Sequence, residues 1–211
     1  MEAKPKVGRP QVHTPDQLLE RLVQAASDLL AEQGADADVS VAQIAARAKV
    51  SKRTVYTAIA SKEELLAQVI RRDAETATAM LDAPVASAAD ARAVLARFLT
   101  LWAGVACGPT AVGILVLAIR ERNRYPAIGA TYHRSRMEHG FQKLAGWLAR
   151  MDAKQFMSVP DPDMAAEFVL TMVASERQRK LALGIAAPLS AVELDARVAA
   201  ILQFVMPNYL S

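Results

Sequence analysis

Between Asp38 and Glu63 the chain carries no acid but has five bases: Arg47, Lys49, Lys52, Arg53 and Lys62. Hydroxyls stand among them at Ser51, Thr54, Tyr56 and Thr57, with Ser40 just ahead. Cationic groups beside hydroxyls are suited to phosphate oxygens and to base edges, the first by charge and the second by directed hydrogen bonds. Arg53 and Thr54 are the candidates for base edges, and Tyr56 and Lys62 for phosphates. Lys52, Ser51 and Thr57 complete the set. Ser40 can reach phosphate through its hydroxyl, and it can equally cap a helix.

The elements that must hold these groups follow from spacing. Ser40 with Gln43 three residues on is a capping box. Val41, Ile44, Ala45 and Ala48 then recur at helical spacing and form one inward face. Ser51 caps a second short helix whose Val55 and Ile59 face inward. Ser61 with Glu64 is a further capping box, opening a third helix. Upstream, Thr14-Pro15-Asp16-Gln17 is a helix start, and Leu18, Leu19, Leu22, Val23, Ala26, Leu29 and Leu30 form its buried stripe. Gly34 ends that helix at a position favouring a left-handed residue. Residues 1–13 hold Lys4, Lys6 and Arg9 among Pro5, Gly8 and Pro10, the composition of a basic disordered arm. Gly8-Arg9-Pro10 is similar to the core of minor-groove AT-hook arms, which makes Arg9 a DNA candidate. A solvated tail is the plain alternative.

Four pieces together resemble the DNA-binding domain of the TetR family of bacterial transcriptional repressors. They are Leu29 to Gly34, Val41 to Ala45, Val50 to Tyr56 and Ser61 to Leu66. The resemblance covers roughly residues 14 to 70. Lys49 stands where the family usually has its turn glycine, Ala58 and Ile59 replace a polar or aromatic residue followed by Phe, and the loop after Gly34 is one residue longer than usual. The resemblance implies an operator in double-stranded DNA and a second half that binds a small, often apolar effector. It also implies a homodimer formed through the last two helices.

The rest of the chain agrees with an all-α protein of about nine helices. Hydrophobic residues make up 53% of the chain, yet β-branched residues never alternate cleanly. The expected organisation is an arm over 1–13, a helix-turn-helix domain over 14–62, and a regulatory and dimerisation domain over 63–211. A helix from Lys62 to about Ala83, stopped by Pro84, joins the two halves. Further helices are expected over 87–106, from 110 to about 124, from Pro126, from Pro162 and from a Ser190–Glu193 cap. The last two carry strong apolar stripes, able to build an isologous two-fold interface.

Trp102, Met137, Phe141, Trp147, Phe168 and Met172 could line an adaptable apolar cavity, although a core of this size needs such residues anyway. Arg120, Arg122 and Arg124 read as a solvated helix end, and Arg177, Gln178, Arg179 and Lys180 as a solvated edge or dimer rim. His133, Arg134, Arg136 and His139 cluster, but the two histidines are six apart and make a poor metal pair. No metal and no cofactor is expected. Cys107 is the only cysteine, which rules out an intramolecular disulfide and a Cys-based zinc site. No phosphate loop, nucleophile elbow or catalytic Cys/His pair is present, so an enzyme is not expected. The net charge of +3 alone would not indicate nucleic acid; the local clustering does. The polar, Pro-containing start is no signal peptide, and Ala111 to Ile119 is too short to span a membrane, which together suggest a cytoplasmic protein. The expectation is a homodimeric, ligand-released repressor. The alternative is a regulator of the same fold without a small-molecule effector, constitutive or controlled by a protein partner.

Overall fold

Local caps set where the helices begin. Thr14 Oγ1 accepts from the Gln17 N–H at 3.3 Å, and the Thr14 N–H donates to Gln17 Oε1 at 3.1 Å. A computed structural model describes residues 14–124 and 126–209, without the side chains of 135–137, 208 and 209. Arg9 and the rest of the basic arm therefore lie outside the described residues. Helix α1 (Pro15–Gln33) buries Leu18, Leu22, Val23, Ala26, Leu29 and Leu30. Gly34 ends it at a φ of 52°, where any side chain would be strained. After a short 3₁₀ turn at Gly34–Asp36 come α2 (Val41–Arg47) and α3 (Lys52–Ala58).

Helix α4 (Lys62–Thr78) starts from a cap that is only partly the expected one. Ser61 Oγ accepts from the Glu64 N–H at 3.2 Å, but the Glu64 carboxylate accepts from the Ala60 N–H at 2.6 Å, one residue upstream of the Ser61 N–H. The helix also stops sooner than expected and tightens into a 3₁₀ turn at Ala79–Asp82. Then follow α5 (Ala88–Ala106), α6 (Pro109–Arg120), α7 (Pro126–Tyr132), α8 (His139–Ala153), α9 (Pro162–Leu170), α10 (Glu176–Ala182) and α11 (Ala191–Tyr209). No strand occurs among the described residues.

The count of α-helical segments exceeds the nine expected because two helices are interrupted. A π turn at His133–Glu138 separates α7 from α8, and another at Thr171–Ser175 separates α9 from α10. A π turn frees backbone carbonyls from the helical ladder. Those of the second turn are taken by Arg197 of α11, which donates to Met172 O at 2.6 Å and Val173 O at 3.0 Å.

Two apolar clusters form the interior. The first gathers α1 to α4 with Ile114, Leu117 and Ala118 of α6 and Ile128 and Tyr132 of α7. The second gathers the end of α4 with α5, α8, α9, the second π turn and α11. Helix α4 contributes to both, Leu65 to Ile70 to the first and Ala77 to the second. No single helix among the described residues is long and apolar enough to cross a membrane. Helices α5 and α6 taken together are long and apolar enough, but they bend by 51° at the break between them and bury their apolar faces here.

Candidate nucleic-acid interface

Helix α3 is pinned by its apolar side and presents its polar one. Val55 is fully buried and Ile59 nearly so, while Lys52, Arg53, Tyr56 and Thr57 are exposed. Ser51 Oγ caps the helix, accepting from the Thr54 N–H at 3.0 Å, and lies 2.8 Å from Thr54 Oγ1. Thr57 Oγ1 donates to Thr54 O at 2.7 Å. Among the described residues, Lys52 and Arg53 have neither a hydrogen bond nor an ion pair.

The turn before α3 is braced from outside the motif. Lys49 sits at a φ of 55°, the left-handed conformation that a glycine would take without strain. Arg21 of α1 donates to Ala48 O at 2.7 Å and so caps the end of α2. Ser40 Oγ accepts from the Gln43 N–H at 3.3 Å, and the Ser40 N–H donates to Gln43 Oε1 at 2.7 Å, completing the expected box. Arg47 differs from the other bases of the stretch. It grips the Glu32 carboxylate with both guanidinium arms at 2.6 and 2.8 Å, which ties α2 to α1. That guanidinium holds the Glu32 carboxyl below its ordinary value.

Ser40, Tyr56 and Lys62, far apart in the motif, border one crevice of about 380 Å³. Its other walls include Asp38, Glu63, Glu121 and Arg124, the last two from the chain just beyond α6. Burial pushes the Lys62 ammonium below its ordinary value, opposed by the charges of Glu121 and Asp38. Lys62 thus stands among carboxylates, unlike the open pair on α3.

The arginines expected at a solvated helix end divide in their roles. Arg120 donates to Ala37 O at 2.7 Å and to Asp38 Oδ1 at 3.2 Å, fastening the end of α6 to the loop before α2. No local pattern around Arg120 announces that role; only its place at the end of an apolar helix could have raised it. Gln178, expected on a solvated edge, is buried instead. Its amide donates to Ala106 O at 2.7 Å and to Tyr132 Oη at 2.8 Å, linking α10 to α5 and α7. Arg179 and Lys180 are exposed, and both pair with Glu176.

The residues considered for an apolar cavity are spread across distinct environments. Trp102 and Trp147 lie within the second cluster, and Trp147 Nε1 has no partner among the described residues. Phe141 and Met172 pack half-buried against the same cluster. Phe168 is 37% exposed on α9. The side chain of Met137, in the first π turn, lies outside the described residues.

Residues 22–69 match the family profile described as bacterial regulatory proteins, tetR family. Residues 93–211, more than half of the chain, match the profile described as AefR-like transcriptional repressor, C-terminal domain. No curated protein matches the sequence. Among solved structures, a putative TetR-family transcriptional regulator from Mesorhizobium loti is 20% identical, with a TM-score of 0.69 over 92% of this chain and 98% of its own. A TetR transcriptional regulator from Agrobacterium tumefaciens is 21% identical, with a TM-score of 0.67 over 94% and 96%. These two are likenesses of fold. A flavonoid-responsive regulator, FrrA, is 26% identical, with a TM-score of 0.62 over 91% of this chain and 96% of its own.

Proposed function

The chain belongs to the TetR family of bacterial regulatory proteins, and from that premise we propose that it is a homodimeric, sequence-specific repressor released from its operator by a small, largely apolar ligand. The observation that carries the reading is the unpaired cationic face of α3, Lys52 and Arg53, on a helix whose other side is locked by Val55 and Ile59. Two cations in a first helical turn oppose the helix dipole, an arrangement that an external polyanion turns favourable. Arg53 and Thr54 reach for base edges; Ser40, Ser51, Tyr56, Thr57 and Lys62 meet the backbone, with Arg9 entering the minor groove from the arm.

One short recognition helix makes too few contacts for specific binding, and a dimer supplies two, about 34 Å apart on a near-palindromic site. Apolar side chains left exposed on the last helices suit that dimer: Met164 and Phe168 on α9, and Val192 and Phe204 on α11. An effector lodged among the aromatic and Met side chains of the regulatory half would act by preferring the conformer whose two heads miss that spacing. A preference of about 1.4 kcal/mol shifts the equilibrium tenfold. The similarity to a flavonoid-responsive regulator supports a small-molecule effector. The close packing of Trp102 and Trp147 favours the second reading, a regulator of the same fold with no small-molecule effector.

The test is fluorescence anisotropy of the full chain on DNA flanking its own gene, at two salt concentrations. The expected result is saturable binding that survives moderate salt, with a random duplex at least about 10³-fold weaker. The double variant Lys52→Ala, Arg53→Ala should lose that preference while keeping its helicity and its oligomeric state. Unchanged specific affinity in that variant would remove the assignment of α3.

A further inference from the structure

We propose that a crevice of about 230 Å³ between α4 and the first π turn binds a small zwitterion of the amino-acid class. Arg71 and Glu75 of α4 form one wall; Arg134 and Glu138 of the π turn with His139 and Gln142 of α8 form the other. None of these residues belongs to the apolar set considered for the effector, and the proposal does not depend on operator binding.

Two observations converge. The side chains of Arg71, Glu75, Arg134 and Gln142 have no hydrogen bond or ion pair among the described residues. The segment carrying Arg134 and Glu138 is a π turn, an irregularity that recurs at functional sites.

The charge pattern selects the ligand. A simple anion would meet Glu75 and Glu138, and a simple cation would meet two guanidiniums. Glu138 already has His133 at 3.5 Å, so Glu75 is the acid left for a ligand ammonium. A carboxylate suits the planar, multiply donating guanidiniums of Arg71 and Arg134. The volume lies below the range of about 300–1,000 Å³ typical of drug-sized pockets and well above the roughly 30 Å³ of one water. A free amino acid fits between those limits. Its occupancy would tie the π turn to α4, the helix that enters both apolar clusters.

The experiment is calorimetric titration of the full chain, free of DNA, with each of the standard amino acids, and with acetate and methylammonium as single-charge probes. At least one amino acid should bind saturably, one per chain, with both single-charge probes at least about tenfold weaker. Glu75→Gln and Arg134→Gln, both at exposed positions, should each weaken that binding by about tenfold while leaving helicity and Tm unchanged. The proposal is overturned if no amino acid saturates, if acetate or methylammonium binds as well, or if both variants bind like the wild type. Because no DNA is present, either result leaves the operator reading to its own test.

Discussion

Lys49 shows how a single residue carries a local conflict within a stable turn. Its φ of 55° is a conformation that suits glycine, and its neighbours hold it there through the Lys49 N–H to Ala46 O and Val50 N–H to Ala45 O hydrogen bonds. Lys49→Gly should therefore stabilise the protein by about 0.5–1 kcal/mol, the relief of strain exceeding the added freedom of the unfolded chain. A thermal melt would read this as a rise of about 1–4 °C, and an unchanged or lower Tm would refute the strain. Glu32 offers a test in pH. Its carboxyl is held below the ordinary value by Arg47, so the contribution of the pair is fully present above the unfolded value and is lost as pH falls through the lower folded one. Wild type and Glu32→Gln should differ in stability at neutral pH and converge in acid once the pH has fallen through the lowered Glu32 value. A gap that persists there would mean the pair acts through packing instead.

At the scale of elements, α6 is the part whose packing could not be expected from its composition. Its run from Ala111 to Ile119 reads as a plain apolar helix, yet Gly113 is where α6 meets the end of α1. A Cβ at Gly113 would stand 2.7 Å from Gly34 O and 3.1 Å from Ala37 Cβ. Ordinarily Gly→Ala inside a helix gains up to about 1 kcal/mol. At Gly113 the obstacle is a backbone carbonyl, so Gly113→Ala should destabilise by about 1–3 kcal/mol. Gly146→Ala on α8, whose Cβ would meet only Arg150 Nη1 at 3.9 Å, should stabilise by up to about 1 kcal/mol. Urea titrations of the two variants should therefore move in opposite directions, and a loss at both sites or a gain at both would refute the close approach. The π turns were likewise hidden in the sequence, because Pro126 and Pro162 mark helix starts but nothing local marks an inserted residue. The one that Arg197 caps depends on a side chain more than twenty positions downstream.

For the whole molecule, the exposed apolar side chains of the last helices bear on assembly. Phe204 is 55% exposed and Val192 79% exposed on α11, and Met164 and Phe168 are exposed on α9. A shared two-fold interface would remove these apolar surfaces from water. Phe204→Glu would place a charge in that proposed interface, so sedimentation should show the wild type as a dimer and the variant as a monomer at the same concentration. Operator affinity should fall with it, since one head cannot span two half-sites. A variant that stays dimeric would place the interface elsewhere.

Helix starts were legible because caps are short-range. Thr14 with Gln17, Ser40 with Gln43, Ser51 with Thr54 and Ser190 with Glu193 each join residues three apart, and each is found as spaced. The inward faces of α1 and α3 and the all-α class followed from helical periodicity in the same way. The bonds that join one element to another run between residues distant along the chain: Arg21 to Ala48, Arg120 to Ala37, and Gln178 to Ala106 and Tyr132. A lone Arg or Gln on a helix carries no local mark of a carbonyl contributed by another element. Which base of the stretch stays unpaired is decided in the same way. Arg47 and Arg53 are alike in the sequence, but folding brings Glu32 to the first and leaves the second without a partner among the described residues.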